Sequence, residues 1–222
     1  MTQLPGFAYQ GGDPDGFLPR EDIVAYLEQY AASFHSPLHC GVRVTAVRQQ
    51  PGGDGYLVEA NQTTLNARNV VLATGAFPKP KFPTASATLP EDICQMYTSE
   101  YRNPQSLPSG AVLVVATGQS GCQIAEDLYE SGRQVYLSTS RCGRFPRRYR
   151  GKDSTWWLAR LGYFDRTVDQ LSSLNGKSAC NPHVSGNKGG HDIDLRQFAR
   201  QGIILLGRLQ AIQGKHMQRE ER

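Results

Sequence analysis

The run Ala111-Val112-Leu113-Val114-Val115-Ala116-Thr117-Gly118-Gln119-Ser120-Gly121-Cys122-Gln123-Ile124-Ala125-Glu126-Asp127-Leu128 constrains the fold more than any other stretch of the chain. Its apolar opening reads as a strand buried on both faces, the pattern of a parallel sheet. Small and glycine residues then make a tight turn, and Ile124 and Leu128 recur at helical spacing as far as about Ser131. Strand, glycine turn and helix form a βα unit whose helix N-terminus suits a pyrophosphate.

The full dinucleotide fingerprint is G-x-G-x-x-G, and here Ala116 stands at its first glycine. Gly118 lets the backbone approach phosphates, and Gly121 lets the helix pack close on the strand. If φ is positive at Ala116, the alanine costs roughly 1–2 kcal/mol. The same residues also suit a glycine-bearing βα turn of another α/β domain.

The second strand of the unit, Gln134-Val135-Tyr136-Leu137-Ser138, completes a βαβ unit of about 30 residues. An NAD-selective unit carries Asp or Glu at the end of that strand, to bind the ribose 2′-hydroxyl. Here the residues are Ser138-Thr139-Ser140-Arg141, without a carboxylate. A hydroxyl and a guanidinium suit a 2′-phosphate, which favours NADP over NAD. Arg141 taken alone reads equally well as a solvated surface arginine. Arg144, Arg147, Arg148, Arg150 and Lys152 either extend a phosphate site or form surface ion pairs, and most are assigned to the surface. Cys180, His183 and His191 match no compact zinc spacing, so no metal is expected.

With 222 residues, 39% hydrophobic and 20% charged, the chain is globular and large enough for one big domain or two modest ones. The formal charge of +4 is concentrated in Arg141–Arg150, which points to an anionic small molecule and not to a nucleic-acid surface. No apolar run approaches about 18 residues and no signal peptide is evident, so no membrane contact and a cytoplasmic location are expected. Five cysteines without C-x-x-C spacing read as reduced thiols. Self-association is left open.

Along the chain, Arg20–Ala32 reads as a helix with Ile23, Tyr26, Leu27 and Tyr30 on one face, ended by Pro37. From Leu38 to Gly75 the period becomes two, predicting an antiparallel β-meander with a hairpin at Pro51–Gly55 and a turn near Asn61-Gln62. It feeds Asn69–Gly75, expected to be a short buried strand ending in a small-residue turn. Residues 76–110 carry six prolines and read as a long connection. Beyond the βαβ unit a helix is expected at Ser154–Leu161, a mobile stretch at Ser172–Gly190, a helical turn at Asp194–Arg200 and a buried strand at Ile203–Leu206. The tail Gln213–Arg222 shows no apolar pattern and is expected to fray.

Four stretches carry a resemblance. They are Ala73-Thr74-Gly75-Ala76-Phe77-x-x-Pro80-x-x-Pro83, Tyr97-Thr98-x-x-Tyr101-Arg102-Asn103-Pro104, the glycine turn, and Pro146-Arg147-Arg148-Tyr149-Arg150-Gly151-Lys152-Asp153. In this order they resemble the flavin-dependent monooxygenases, in particular bacterial flavoprotein oxidoreductases related to flavin-containing and Baeyer–Villiger monooxygenases. The likeness extends to about residue 212. It implies an α/β chain: a Rossmann-like NADPH-binding domain joined to a partial FAD-binding domain with the β-meander. The expected boundaries are 1–83 for the FAD part, 84–110 for the linker, 111–200 for the NADPH domain and 201–222 for a return strand and charged tail.

The resemblance further implies FAD and NADP as cofactors, and O₂ as the oxidant of a small organic substrate. Ala73, Thr74 and Gly75 would lie near FAD, Gly118, Gln119, Ser120 and Gly121 at the NADPH pyrophosphate, and Arg141 at the 2′-phosphate. The chain departs from the family pattern in three places. It lacks an opening strand with G-x-G-x-x-G, it has Ala116 in the second glycine turn, and it has Tyr97 where histidine is usual. It therefore reads as a partial chain, with weak or no FAD binding expected. The alternative is a catalytically inactive nucleotide-binding or assembly fragment. A third reading, a flavin reductase or disulfide oxidoreductase, is weakened by the absence of a C-x-x-C pair beside the sheet.

Overall fold

The computed structural model describes residues 4–13, 16–61, 63–75, 79–140, 143–170, 183–213 and 216–219. They fall into two compact units, one of residues 4–9 with 18–79 and the other of residues 10–17 with 80–219.

The first unit holds helix α1 (Arg20–Ser33) and strands β1 (Val44–Gln49), β2 (Tyr56–Ala60) and β3 (Thr63–Ala67). Glu21 and Asp22 occupy the first turn of α1, where the macrodipole favours acids. Of the expected apolar face only Tyr26 is buried, and Leu27 is exposed. The Tyr26 hydroxyl accepts from Leu4 N and donates to the Phe7 carbonyl at 2.7 Å, while the Phe7 ring leans on Tyr26 and Tyr30. Aromatic packing around one phenol thus anchors the helix. The strands pair antiparallel in the order β1-β2-β3, as the period of two predicts.

One expectation is overturned here. Residues 69–75 form no strand, and Val71 and Leu72 are 88% and 75% exposed. Among the described residues no neighbouring strand offers these apolar residues a hydrogen-bond ladder. An apolar run alone does not make a strand.

The second unit is built on the βαβ motif: β4 (Val112–Val115), α2 (Gln119–Glu130) and β5 (Val135–Ser138). The chain continues through β6 (Arg148–Tyr149), β7 (Lys152–Asp153), α3 (Ser154–Arg160), β8 (Val184–Ser185), β9 (His191–Asp192) and α4 (Leu195–Gln201). It then enters β10 (Ile204–Leu206), β11 (Leu209–Gln213) and β12 (His216–Arg219). β10 and β4 flank β5, both parallel to it. The core lies between this sheet and helices α2 and α4, with Val114, Cys122, Ala125, Leu128, Leu137, Phe198 and Ile203 buried together. Complete burial of Leu128 alone is worth about 1.5–3 kcal/mol.

β4 was expected to be covered on both faces, but Val114 is buried while Leu113 and Val115 are about 40% exposed. Its helix covers one side, and β4 is the edge of the sheet. The proline-rich segment before β4 is held firmly against this unit. Arg133 donates to the carbonyls of Pro104, Leu107, Pro108 and Gly110, and the Tyr101 hydroxyl donates to Asp127 at 2.5 Å. The tail also differs from expectation, because β11 and β12 pair as an antiparallel hairpin and Thr88 donates to the Ile212 carbonyl. In that hairpin Gln213 pairs with His216. Of the stretch expected to be mobile, 172–182 lies outside the described residues, and the rest holds β8 and the turn leading to its partner β9.

Candidate functional site

At the C-terminal end of β4, Ala116 N donates to the Ser138 carbonyl at 3.2 Å, extending the parallel ladder. By the rule for parallel strands the next bond would run from Ser140 N to the Ala116 carbonyl. It does not form. Ala116 has φ 115, and its carbonyl faces the helix, where a Cβ on Gly121 would collide with it. The buried Thr117 hydroxyl takes over as acceptor, with Ser140 N at 3.1 Å. A positive φ at alanine stores about 1–3 kcal/mol of strain. Gly121 is thus required by the close approach of helix to turn.

Gly118 is the N-cap of α2, extended at φ −73 and ψ 176, and the space a Cβ would fill there is open. Helix geometry leaves the N–H groups of Gln119, Ser120 and Gly121 without intrahelical acceptors. The first turn contains no acidic residue, so the positive end of the helix dipole is uncompensated. The Gln119 side chain points elsewhere: Nε2 donates to the Val184 carbonyl at 2.6 Å and Oε1 accepts from Val184 N at 3.2 Å. Only its backbone N–H is left to face an anion. Ser120 is exposed. Open backbone at Gly118, free first-turn N–H groups and a close-packed Gly121 fit a diphosphate.

The end of β5 is more committed than its composition suggests. Ser138 Oγ donates to the Gly207 carbonyl and accepts from Leu209 N, and Thr139 Oγ1 donates to the Leu206 carbonyl at 2.7 Å. Ser140 is exposed, with its hydroxyl 3.2 Å from that of Thr117. Arg141 lies outside the described residues.

Ala73, Thr74 and Gly75 belong to the other unit, are exposed and are in no strand. A Cβ on Gly75 would meet nothing within 4 Å. These residues alone form no cradle for a flavin nucleotide.

The basic cluster is engaged within the protein. Arg144 pairs with Asp192 and Asp194, Arg147 pairs with Asp153 at 2.9 Å and lies over the Phe17 ring, and Arg148 donates to the Gly189 carbonyl. Arg150 and Lys152 sit over Tyr149 and Trp156. Of the residues tested as metal ligands, His191 lies between Glu126 and the Asn187 carbonyl, at 2.7 and 3.2 Å. His183 is buried, which lowers its pKa below the usual value, and Cys180 is outside the described residues. Thr117 and the Gln119 side chain escaped the sequence reading. Their partners lie 23 and 65 residues away, and no local signal marks them.

One unit thus holds a parallel βαβ motif with a glycine turn and an open helix N-terminus, and the other an antiparallel meander. A family model described as pyridine nucleotide-disulphide oxidoreductase matches residues 8–166, and the chain belongs to that family. The chain is 40% identical over 163 residues to an uncharacterized CzcO-like oxidoreductase of Geobacillus kaustophilus, covering 73% of this chain and 46% of the relative. It is 26% identical over 168 residues to flavin-containing monooxygenase 5 of Rattus norvegicus, covering 71% and 29%. A variant flavin monooxygenase from Stenotrophomonas maltophilia shares the fold at TM-score 0.54 and 23% identity, over 71% of this chain and 46% of that one. The chain spans about half the length of the bacterial relatives it matches. The resemblance to flavin monooxygenases holds, and by it the chain is of an enzyme family. The family match ends at residue 166, so β8 to β12 lie beyond it.

Proposed function

We propose that this chain carries the pyridine-nucleotide site of an NADPH-dependent flavoprotein oxidoreductase of monooxygenase type. The observation that supports it best is the pair Gly118 and Gly121, one open to a ligand and the other pressed on the Ala116 carbonyl. The βαβ unit is then a Rossmann-like nucleotide domain. The N–H groups of Gly118, Gln119, Ser120 and Gly121 hold the pyrophosphate, and Arg141 pairs with the 2′-phosphate, so NADP is preferred. Ala73, Thr74 and Gly75 contribute to an FAD site that they do not form alone. FAD, when bound, supplies the redox chemistry with O₂ on a small organic substrate. The chain's own residues bind and orient the nucleotide.

Titration of the chain with NADP⁺ and NAD⁺, followed by intrinsic tryptophan fluorescence, tests this reading. NADP⁺ is expected to bind at least about tenfold tighter, the size of one charge-assisted interaction. Absence of binding by either nucleotide overturns the reading.

The exposed, strandless residues 69–75 favour a second reading, a catalytically inactive nucleotide-binding or assembly module. NADPH oxidation on addition of FAD separates the two. Turnover supports the enzyme, and nucleotide binding without turnover supports the module.

A further inference from the structure

We propose that the cationic aromatic surface built by residues 149–166 of the second unit binds an anionic lipid surface. It involves no residue of the glycine turn.

Local structure puts this surface together. Asp153 caps α3 by accepting from Thr155 N, and the Trp157 indole N–H donates to the Tyr149 carbonyl at 2.9 Å. Tyr149 then lies 5.8 Å from Trp157, centroid to centroid, with Trp156 edge-on to Trp157 at 4.9 Å. The helix stops at Gly162, where φ is +66; Tyr163 N donates to the Leu158 carbonyl and Gly162 N to that of Ala159. Tyr163 and Phe164 follow side by side, with Leu161 at the cap. Leu161, Phe164 and Tyr149 are 74%, 57% and 52% exposed.

Charge separates this surface from the other exposed apolar residues. Arg150 lies over Tyr149, Lys152 and Arg160 over Trp156, and Arg166 over Tyr163, at 5.3 to 5.9 Å from the ring centres. All four cations are exposed, and none has an ion-pair partner among the described residues, whereas Arg144 and Arg147 are paired. Two exposed acids, Asp165 and Asp169, stand on the same stretch.

This chemistry selects the occupant. Tyrosine and tryptophan rings beside arginine and lysine are the composition of a surface that lies in the headgroup layer of a bilayer. There the ring sinks while its cation stays hydrated against lipid phosphates. A protein interface would have to desolvate the same cations, which is costly without carboxylates to pair them. Surface contact needs no spanning segment, and no described helix is long and apolar enough to be one. It also escapes a search for apolar runs, because its apolar residues are scattered among cations.

The test is cosedimentation of the full chain with vesicles of phosphatidylcholine, alone or mixed with phosphatidylserine. Both tryptophans of the chain lie in this surface, so their emission reports contact directly. The mixed vesicles are expected to bind at least about tenfold tighter, with a blue shift of emission, and added salt to weaken binding. Each cation near the surface contributes about fivefold, so Arg160→Gln with Arg166→Gln should lose about 25-fold. Leu161→Ser with Phe164→Ser should lose the blue shift, and Leu65→Ser, exposed on the meander, should change neither readout. Thermal midpoints check that each variant folds. Equal binding to neutral vesicles, no binding to either kind, or the same loss from Leu65→Ser overturns the proposal. Binding with a blue shift to polyglutamate and not to vesicles overturns it in favour of an acidic protein.

Discussion

The carbonyl oxygen of Ala116 occupies the space that a side chain on Gly121 would need. The contact exists because Ala116 adopts φ 115 and turns its carbonyl from the sheet to the helix. Strand end, strained alanine and helical glycine are therefore one device, and it brings the N-terminus of α2 up to the edge of the sheet.

Substitution at the two positions should act in opposite directions. Ala116→Gly removes strain at the positive φ, and the gain outweighs the added freedom of the unfolded chain. A stabilisation of about 1 kcal/mol is expected, a rise of about 2–4 °C in thermal midpoint for a chain of this size. Gly121→Ala drives a Cβ into backbone that cannot swing aside and should cost about 2–3 kcal/mol, within the range for overpacking. Thermal denaturation of both variants checks this, and a stable Gly121→Ala would show that helix and turn part easily.

Gln119 illustrates how a side chain in the glycine turn can serve another segment. Its amide bonds both backbone groups of Val184, as a neighbouring strand would. Gln119→Ala should lose about 1–2 kcal/mol, two ordinary hydrogen bonds. Amide exchange at Val184 should accelerate, and NADP⁺ affinity should change less than about twofold, because the proposed pyrophosphate contact is through the backbone. A large loss of affinity with unchanged exchange at Val184 would assign the side chain to the ligand instead.

The βαβ unit was legible because its signal is local: an apolar run, two glycines and a helical repeat within 20 residues or so. The meander was legible for the same reason, from its period of two and Pro51–Gly55. Failures came where the deciding partner is remote or absent. Val70–Leu72 has the composition of a strand, but no described strand lies beside it. β12, His-Met-Gln-Arg, has no alternating apolar pattern, and its pairing with β11 could not be read from its side chains. In the glycine turn, the open N-cap at Gly118 and the close approach at Gly121 were readable from spacing. Thr117 was not, because its role depends on the missing ladder bond at Ser140.

His183 links this unit to pH. Burial lowers its pKa, so the folded chain takes up a proton less readily than the unfolded one. Above the ordinary histidine value of about 6.5 neither state is charged and the stabilisation is complete. As pH falls below that value the unfolded state gains protons first and stability declines. Urea midpoints from pH 8 to pH 5 should therefore fall. His183→Gln should lose less over that range, whatever its stability at pH 8, and an equal slope in both proteins would remove His183 as the cause.

Tyr101 acts at the other end of the scale. Burial first, and then its hydrogen bond to Asp127, raise the phenol above its ordinary value of about 10. Above that pH the unfolded chain releases the proton and the folded chain keeps it, so the stabilisation is lost as pH rises. Tyr101→Phe should show a shallower alkaline loss of stability than wild type, measured by urea midpoints between pH 9 and pH 11.

The last prediction concerns the flavin. Nucleotide binding in an α/β unit draws on a strand end, a glycine turn and the open N-terminus of a following helix. Ala116 to Gly121 supply all three, whereas Ala73, Thr74 and Gly75 follow exposed backbone that is in no strand. Val71 and Leu72, 88% and 75% exposed, show that nothing described here packs against that segment. The chain mixed with excess FAD and passed through gel filtration should therefore emerge with far less than one flavin per chain, read from the visible flavin band. NADP⁺ added to the same sample should still quench tryptophan fluorescence, since its proposed site does not draw on residues 69–75. A stoichiometric yellow protein would mean that FAD itself organises this segment, and the exposure of Val71 and Leu72 would then be lost on binding, which protection from proteolysis at 69–75 would report.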